Sequence, residues 1–264
     1  TGHMIYPVIL QKLVPFLWMI SASLKLNKDV FTYPVKWIPE KLEWSNYSKI
    51  WKEIPLLLFF KNSAKLTIII TAIQVFTSSF AAYAFAKLHF KGRDFCFSLV
   101  LLQMMVPAQI FISPQYIMVS KMGMLNTIFG LVFPGMVTAF GTFLLRQGYM
   151  GLPNDLEEAA RLDGCNIGQT FLYIMAPLTR SSMVALGIFT AVFAFKDLMW
   201  PMIVNTDKDM LVLSSALAKM QGQYASKFPE LMAASLIACI PMIVLYVIFQ
   251  KQFIEGIATS GGKL

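Results

Sequence analysis

The sequence predicts an all-α polytopic membrane protein with six transmembrane helices, and three observations carry that expectation. Apolar residues make up 57% of the 264-residue chain and charged residues only 14%, against roughly 25% charged in a soluble domain. Mean hydropathy is +0.63. Charge-free apolar runs of the roughly 20 residues a bilayer requires recur at 66–86, 95–120, 122–145 and 231–250. Two weaker runs, 4–24 and 181–206, are interrupted by Gln11 and Lys12 and by Lys196 and Asp197. Hydrocarbon offers the backbone no water, so continuous runs of this kind must satisfy their hydrogen bonds internally, as helices. The expected spans fall at about 4–24, 63–86, 95–119, 124–145, 181–204 and 231–250, within a single transmembrane domain 1–264.

Composition also excludes function classes. The net charge of +8 points to lipid headgroups in such a chain, and no basic run with interleaved aromatics resembles a nucleic-acid module. Cys96, Cys165 and Cys239 are scattered and odd in number, so neither a disulfide framework nor a metal spacing emerges. The opening Thr1-Gly-His-Met4 reads as a cloning remnant, which leaves His89 as the informative histidine. No metal site is expected. A phosphate loop is missing too, because Gly261-Gly-Lys263 lacks the upstream glycine and the hydroxyl residue. The chain therefore has no ATP-hydrolysing signature of its own.

Taken in order, the first span contains Pro7 and Pro15 and leads into a polar, aromatic stretch at 25–61. Tyr33, Trp37, Trp44, Tyr47 and Trp51 fit a membrane-interface segment. In the second span Thr67, Thr71, Gln74 and Ser78 are spaced to share one helical face. Such a face turns toward neighbouring helices or an aqueous path, and spacing alone leaves both open. The third span carries Gln103, Pro107, Gln109 and Pro114, whose prolines imply kinks. The fourth ends at Arg146 and the fifth in 195–201, with Lys196 and Asp197 adjacent; residues 205–230 read as a second long loop, and the sixth span ends at Gln250.

Between the fourth and fifth spans lies the one long polar, helix-forming segment, 152–177. Pro153 and Asn154 with Glu157 three residues on make a candidate capping box, and Gly164 suits a left-handed C-terminal position. Asn166 with Gln169 starts a second short helix, which is expected to stop or kink at Pro177. The pattern Glu158-Ala159-Ala160, then Gly164, then Ile174-x-Ala176-Pro177 resembles the EAA loop of ABC importer permeases, with Ala176 where that family usually has leucine. The stretches 15–25, 81–88, 140–147 and 249–256 are similar to the MalG-type permease of carbohydrate (CUT1-like) ABC importers, in the same order along nearly the whole chain.

That resemblance implies a type I ABC importer permease fold in a prokaryotic inner or plasma membrane, with 152–177 as a cytoplasmic coupling helix. All four arginines, Arg93, Arg146, Arg161 and Arg180, fall on the side it makes cytoplasmic. It implies as partners a second, MalF-like permease, two ATPase subunits that hold ATP and Mg, and an extracytoplasmic sugar-binding protein. No cofactor is expected in this chain. The residues it singles out for ATPase coupling are Glu157, Glu158, Ala159, Ala160, Arg161, Asp163 and Gly164. Gln221, Gly222, Gln223 and Tyr224 resemble the outward loop that meets the binding protein. Gln74, Gln103, Gln109 and Lys196 are the candidates for lining a substrate pathway. A neutral oligosaccharide is the expected cargo, and Lys196 leaves an acidic sugar or sugar phosphate as the alternative. Two other classes remain as alternatives. An ion-coupled secondary transporter needs intramembrane charges and an internal repeat, and a membrane enzyme needs clustered acids and histidines inside the spans.

Overall fold

A computed structural model of the chain describes residues 5–223 and 227–261, with side chains described over 11–222 and 227–251. Every regular element among the described residues is helical. The chain divides into two compact units, one of 1–63 with 211–246 and one of 64–210 with 247–264.

The first unit holds α1 (Ile5–Ser23), α2 (Ser45–Glu53), α13 (Leu213–Gln223) and the start of α14 (Phe228–Gly261). Helix α1 ends where its last carbonyls need new partners. Backbone N–H groups of Leu24 and Lys25 meet Ser21 O and Ala22 O, and Asn46 of α2 meets Ser23 O, its Nδ2 donating there and to Lys25 O beyond the helix end at 2.9 Å each. The Ser23 hydroxyl pairs with Tyr47 OH at 2.8 Å. Lys25 is buried, donates to Lys36 O and lies 4.5 Å from the Trp18 ring centre. Burial pushes its ammonium pKa down, and Asp29 opposes that shift. The aromatic stretch at 25–61 is thus partly helical, and the expected loop 205–230 contains the 11-residue α13.

The second unit holds most of α3 (Leu56–Lys87), then α4 (Arg93–Met105), α5 (Ile112–Lys121), α6 (Ile128–Val132) and α7 (Ala139–Met150). After these come α8 (Asp155–Leu162), α9 (Ile167–Thr170), a π turn at Phe171–Met175, α10 (Ala176–Leu178), α11 (Arg180–Lys196) and α12 (Met199–Val204). Helix α3 is unbroken over 32 residues, about 48 Å at the α-helical rise, so it outruns a hydrocarbon core of about 30 Å.

Two helices among the described residues, α3 and Phe228–Lys251 of α14, are each long and apolar enough to cross a bilayer. Three bent pairs pass only when joined: Arg93–Met105 with Ala108–Lys121 at 100°, Ile128–Gly135 with Ala139–Met150 at 52°, and Ile167–Leu178 with Arg180–Lys196 at 77°. The count is therefore two, or up to five with the bent pairs, and the first expected span, 4–24, which falls on the 19-residue α1, is not among them.

The breaks have local causes. Pro107 follows an extended Val106 (φ −87, ψ 127), as the residue before a proline prefers. Pro134 sits in the 3-10 turn that separates α6 from α7. The bend expected at Pro177 occurs instead at Thr179 (φ −97, ψ 10). Pro177 lies in the three-residue α10, which runs on directly from the π turn Phe171–Met175. The fifth run also breaks at an extended Asp197, and the last helix continues past Gln250 to Gly261.

Candidate functional site

The segment 152–177 folds as an elbow of two short helices. Good helix formers carry α8 from Asp155 to Leu162, with Asp155, Glu157 and Glu158 in its first turn, where the helix dipole favours carboxylates. Gly164 (φ +83) closes it. Its N–H donates to Arg161 O at 3.0 Å and that of Cys165 to Ala160 O at 2.9 Å, which is the paired pattern of a Schellman turn. The second helix is capped as its sequence predicts: Gln169 N donates to Asn166 Oδ1 at 2.9 Å and Asn166 N to Gln169 Oε1 at 2.8 Å.

The box expected at Asn154 and Glu157 does not form, since Asn154 makes no side-chain cap. Lys87 has taken its side chain: the Nζ of Lys87 lies 2.7 Å from Asn154 Oδ1 and 2.8 Å from Leu152 O. Glu157 turns to other partners. Its Oε1 accepts from Arg161 Nη2 at 2.9 Å and more loosely from Tyr83 OH at 3.4 Å.

These contacts give α8 two faces. Glu157 and Ala160, three residues apart, point inward and are 7% and 3% exposed. Leu156, Glu158, Ala159, Arg161, Leu162, Asp163 and Gly164 are exposed. Beneath the elbow lies a buried cluster of Ala82, Tyr83, Leu145, Tyr149, Phe171, Met175 and Leu186. The Tyr83 ring meets Tyr149 at 5.7 Å and Phe171 at 5.3 Å, and Tyr149 OH pairs with Ser79 Oγ at 2.6 Å. The coupling residues predicted from sequence therefore split, with Glu157 and Ala160 fastening the helix and the other five presented outward.

The pathway candidates do not converge. Gln74 is consumed by helix packing: Nε2 donates to Gly135 O at 2.6 Å and Oε1 accepts from Thr190 Oγ1 at 3.3 Å. The Thr77 hydroxyl, one turn further on, lies 2.6 Å from Met136 O. Gly135 and Met136 sit where the fourth run breaks, so α3 supplies partners for carbonyls the break has freed. Gln103, Gln109 and Lys196 are exposed, with Lys196 Nζ 4.5 Å from the Phe193 ring centre. Gln221 and Gly222 are exposed on α13, Gln223 is its last residue, and Tyr224 lies outside the described residues. Among the described residues no group of three or more His, Cys, Asp or Glu is placed to hold a metal.

Sequence reasoning missed Lys87, Tyr83 and Thr77. Lys87 reads as the ordinary cation flanking an apolar run, and its partners lie 65 and 67 positions away. Thr77 sits three residues after Gln74, close enough on a helix to have been paired with it.

A family model described as "Binding-protein-dependent transport system inner membrane component" matches residues 47–258. The chain belongs to this family. The arabinooligosaccharides transport system permease protein AraQ of Halalkalibacterium halodurans is 32% identical over 252 residues, covering 94% of this chain and 90% of that one. AraQ of Bacillus subtilis is 30% identical over 260 residues, 98% and 89% of the two chains. The sn-glycerol-3-phosphate transport system permease protein UgpE of Pectobacterium atrosepticum is 29% identical over 261 residues, 96% and 92%. In fold the chain is similar to a crystal structure of a bacterial ABC transporter involved in the import of the acidic polysaccharide alginate. The TM-score is 0.83 at 21% identity, over 96% of this chain and 94% of that one. The resemblance drawn from the motifs is thus borne out: as a binding-protein-dependent inner membrane component, the chain is an all-α permease subunit of an ABC importer.

Proposed function

We propose that this permease subunit moves an oligosaccharide into a prokaryotic cell, and that the elbow 152–177 is the cytoplasmic lever on which an ATPase subunit acts. The observation that carries the lever reading is the two-sided α8. Its inward side is fastened by Glu157 and Ala160, and its outward side offers Glu158, Ala159, Leu162 and Asp163 to a second protein. Small residues let a partner approach closely, Leu162 at 89% exposure supplies an apolar anchor, and the two carboxylates suit a basic cleft. ATP and Mg belong to two partner ATPase chains, a second MalF-like permease completes the pore, and an extracytoplasmic binding protein delivers the cargo. Gln221, Gly222, Gln223 and Tyr224 are assigned to meeting that binding protein.

Cargo class follows the relatives named for arabinooligosaccharides. An acidic cargo is the second reading, favoured by the exposed Lys196 and the relative named for sn-glycerol-3-phosphate. The ligand retained by the cognate binding protein on purification decides between them. The lever is tested by Glu158→Lys, which is expected to release the ATPase while the two permeases stay paired. An ATPase that stays bound with unchanged turnover overturns it.

A further inference from the structure

The elbow is covalently continuous with α7 before it and α11 after it, but its polar contacts run to a third helix. Lys87, the last residue of α3, is 6% exposed, and its ammonium is held between Leu152 O and Asn154 Oδ1, both uncharged. One turn earlier Tyr83, 2% exposed, reaches Glu157 with its hydroxyl and packs its ring on Phe171 of the π turn. Two successive turns of α3 thereby grip both arms of the elbow. Apolar surfaces alone slide past one another, whereas charge-assisted hydrogen bonds to a loop carbonyl and a side-chain amide fix position and direction. Further along, the same α3 holds the broken fourth run through Gln74 and Thr77, and α11 through Thr190.

We propose that Lys87 is a positioning residue that clamps the elbow to α3, so that a displacement of the elbow is delivered to α3 as well as to the covalently joined α11. This rests on the elbow being the lever that an ATPase moves. A buried ammonium with two neutral acceptors is costly to strip of either one, so elbow and helix end are expected to travel as one body.

The test uses the full complex (both permeases, ATPases and binding protein) in proteoliposomes. Lys87→Met keeps the aliphatic stem and removes the ammonium. ATPase subunits are expected to copurify as in the parent and ATP hydrolysis to continue, while cargo imported per ATP falls about tenfold. Lys87→Arg is expected to keep most of the coupling. A second measurement guards against a folding defect. In a background with Cys96, Cys165 and Cys239 replaced by serine, Lys87→Cys and Asn154→Cys are joined by a short thiol-specific linker. The linked complex is expected to regain import per ATP to within about twofold of the parent. Unchanged import per ATP in Lys87→Met overturns the clamp, and so does loss of the ATPase in that variant, which would make Lys87 a fold-holding residue only. A linked pair that blocks transport overturns it as well, because the two ends must then separate during the cycle. The lever reading fails separately, on Glu158→Lys.

Discussion

Glu157 and Glu158 are neighbours in sequence, and the structure gives them opposite duties; replacing each by alanine separates the two. The Glu157 side chain is 9% exposed and pairs with an Arg161 side chain that is 59% exposed, at 2.9 Å. A fully exposed i,i+4 pair contributes only about 0.3–0.5 kcal/mol, but a charge-assisted bond to a buried carboxylate is nearer about 1.5 kcal/mol. Glu157→Ala also leaves the buried Tyr83 hydroxyl without this acceptor, and the 3.4 Å separation keeps that loss below about 1 kcal/mol. The total is about 2 kcal/mol, or about 30-fold in the local opening equilibrium. Glu158 is exposed, and its removal is expected to cost no more than about 0.5 kcal/mol, under about threefold.

The assay is amide hydrogen exchange of residues 155–165 in the permease pair stripped of ATPase, followed by ATPase rebinding to each variant. Glu157→Ala is expected to accelerate exchange about 30-fold and to weaken rebinding as a consequence. Glu158→Ala is expected to leave exchange near the parent and weaken rebinding directly. Equal acceleration in both variants, or none in Glu157→Ala, refutes the two-faced assignment of α8.

Three further outcomes follow from the geometry. A Cβ on Gly141 would lie 2.6 Å from Thr138 Cγ2 and 2.7 Å from Ser78 Oγ, whereas one on Gly187 meets nothing nearer than 3.7 Å. Gly141→Ala is therefore expected to lower stability by about 1–3 kcal/mol and Gly187→Ala to be tolerated, both read from thermal midpoints in detergent. Gly164→Ala finds open space but keeps φ +83, so about 1 kcal/mol of strain appears as faster exchange at 160–165, and Gly164→Asn loses less. Gln74→Leu removes the contacts to Gly135 and Thr190 and is expected to cost about 0.6–1.7 kcal/mol with cargo KM unchanged. A raised KM would return Gln74 to the pathway.

Much of the elbow was legible because its determinants are local. The left-handed Gly164 and the Asn166–Gln169 box need only residues within a turn of each other. The Asn154 cap was overridden by a lysine 67 positions away, a competition that local spacing does not reveal. Proline marked two of the broken runs but not their angles, since a missing N–H says that a helix weakens and not which way it turns. The 100° bend after Met105 was thus invisible as a magnitude. Helix α13 went unread for a different reason. Its Leu, Ala, Lys, Met and Gln are good helix formers, yet it is too short and polar to register in a search for spans.

The three bent pairs all lie within 64–210, beside the unbroken α3. A bent helix in an apolar medium exposes carbonyls that must find partners, and at the 52° bend they are met by Gln74 and Thr77 of that straight helix. From Gln74 to Lys87 the rod runs about 20 Å, with the fourth-run break at one end and the elbow at the other. Coupling between the two then needs no relay of side-chain rearrangements, because a stiff helix gripped at both ends is itself a single element that either site can bias. On that view Gln74 and Thr77 are the residues by which the second run holds its broken neighbours, and Lys87 is where the elbow takes hold of it.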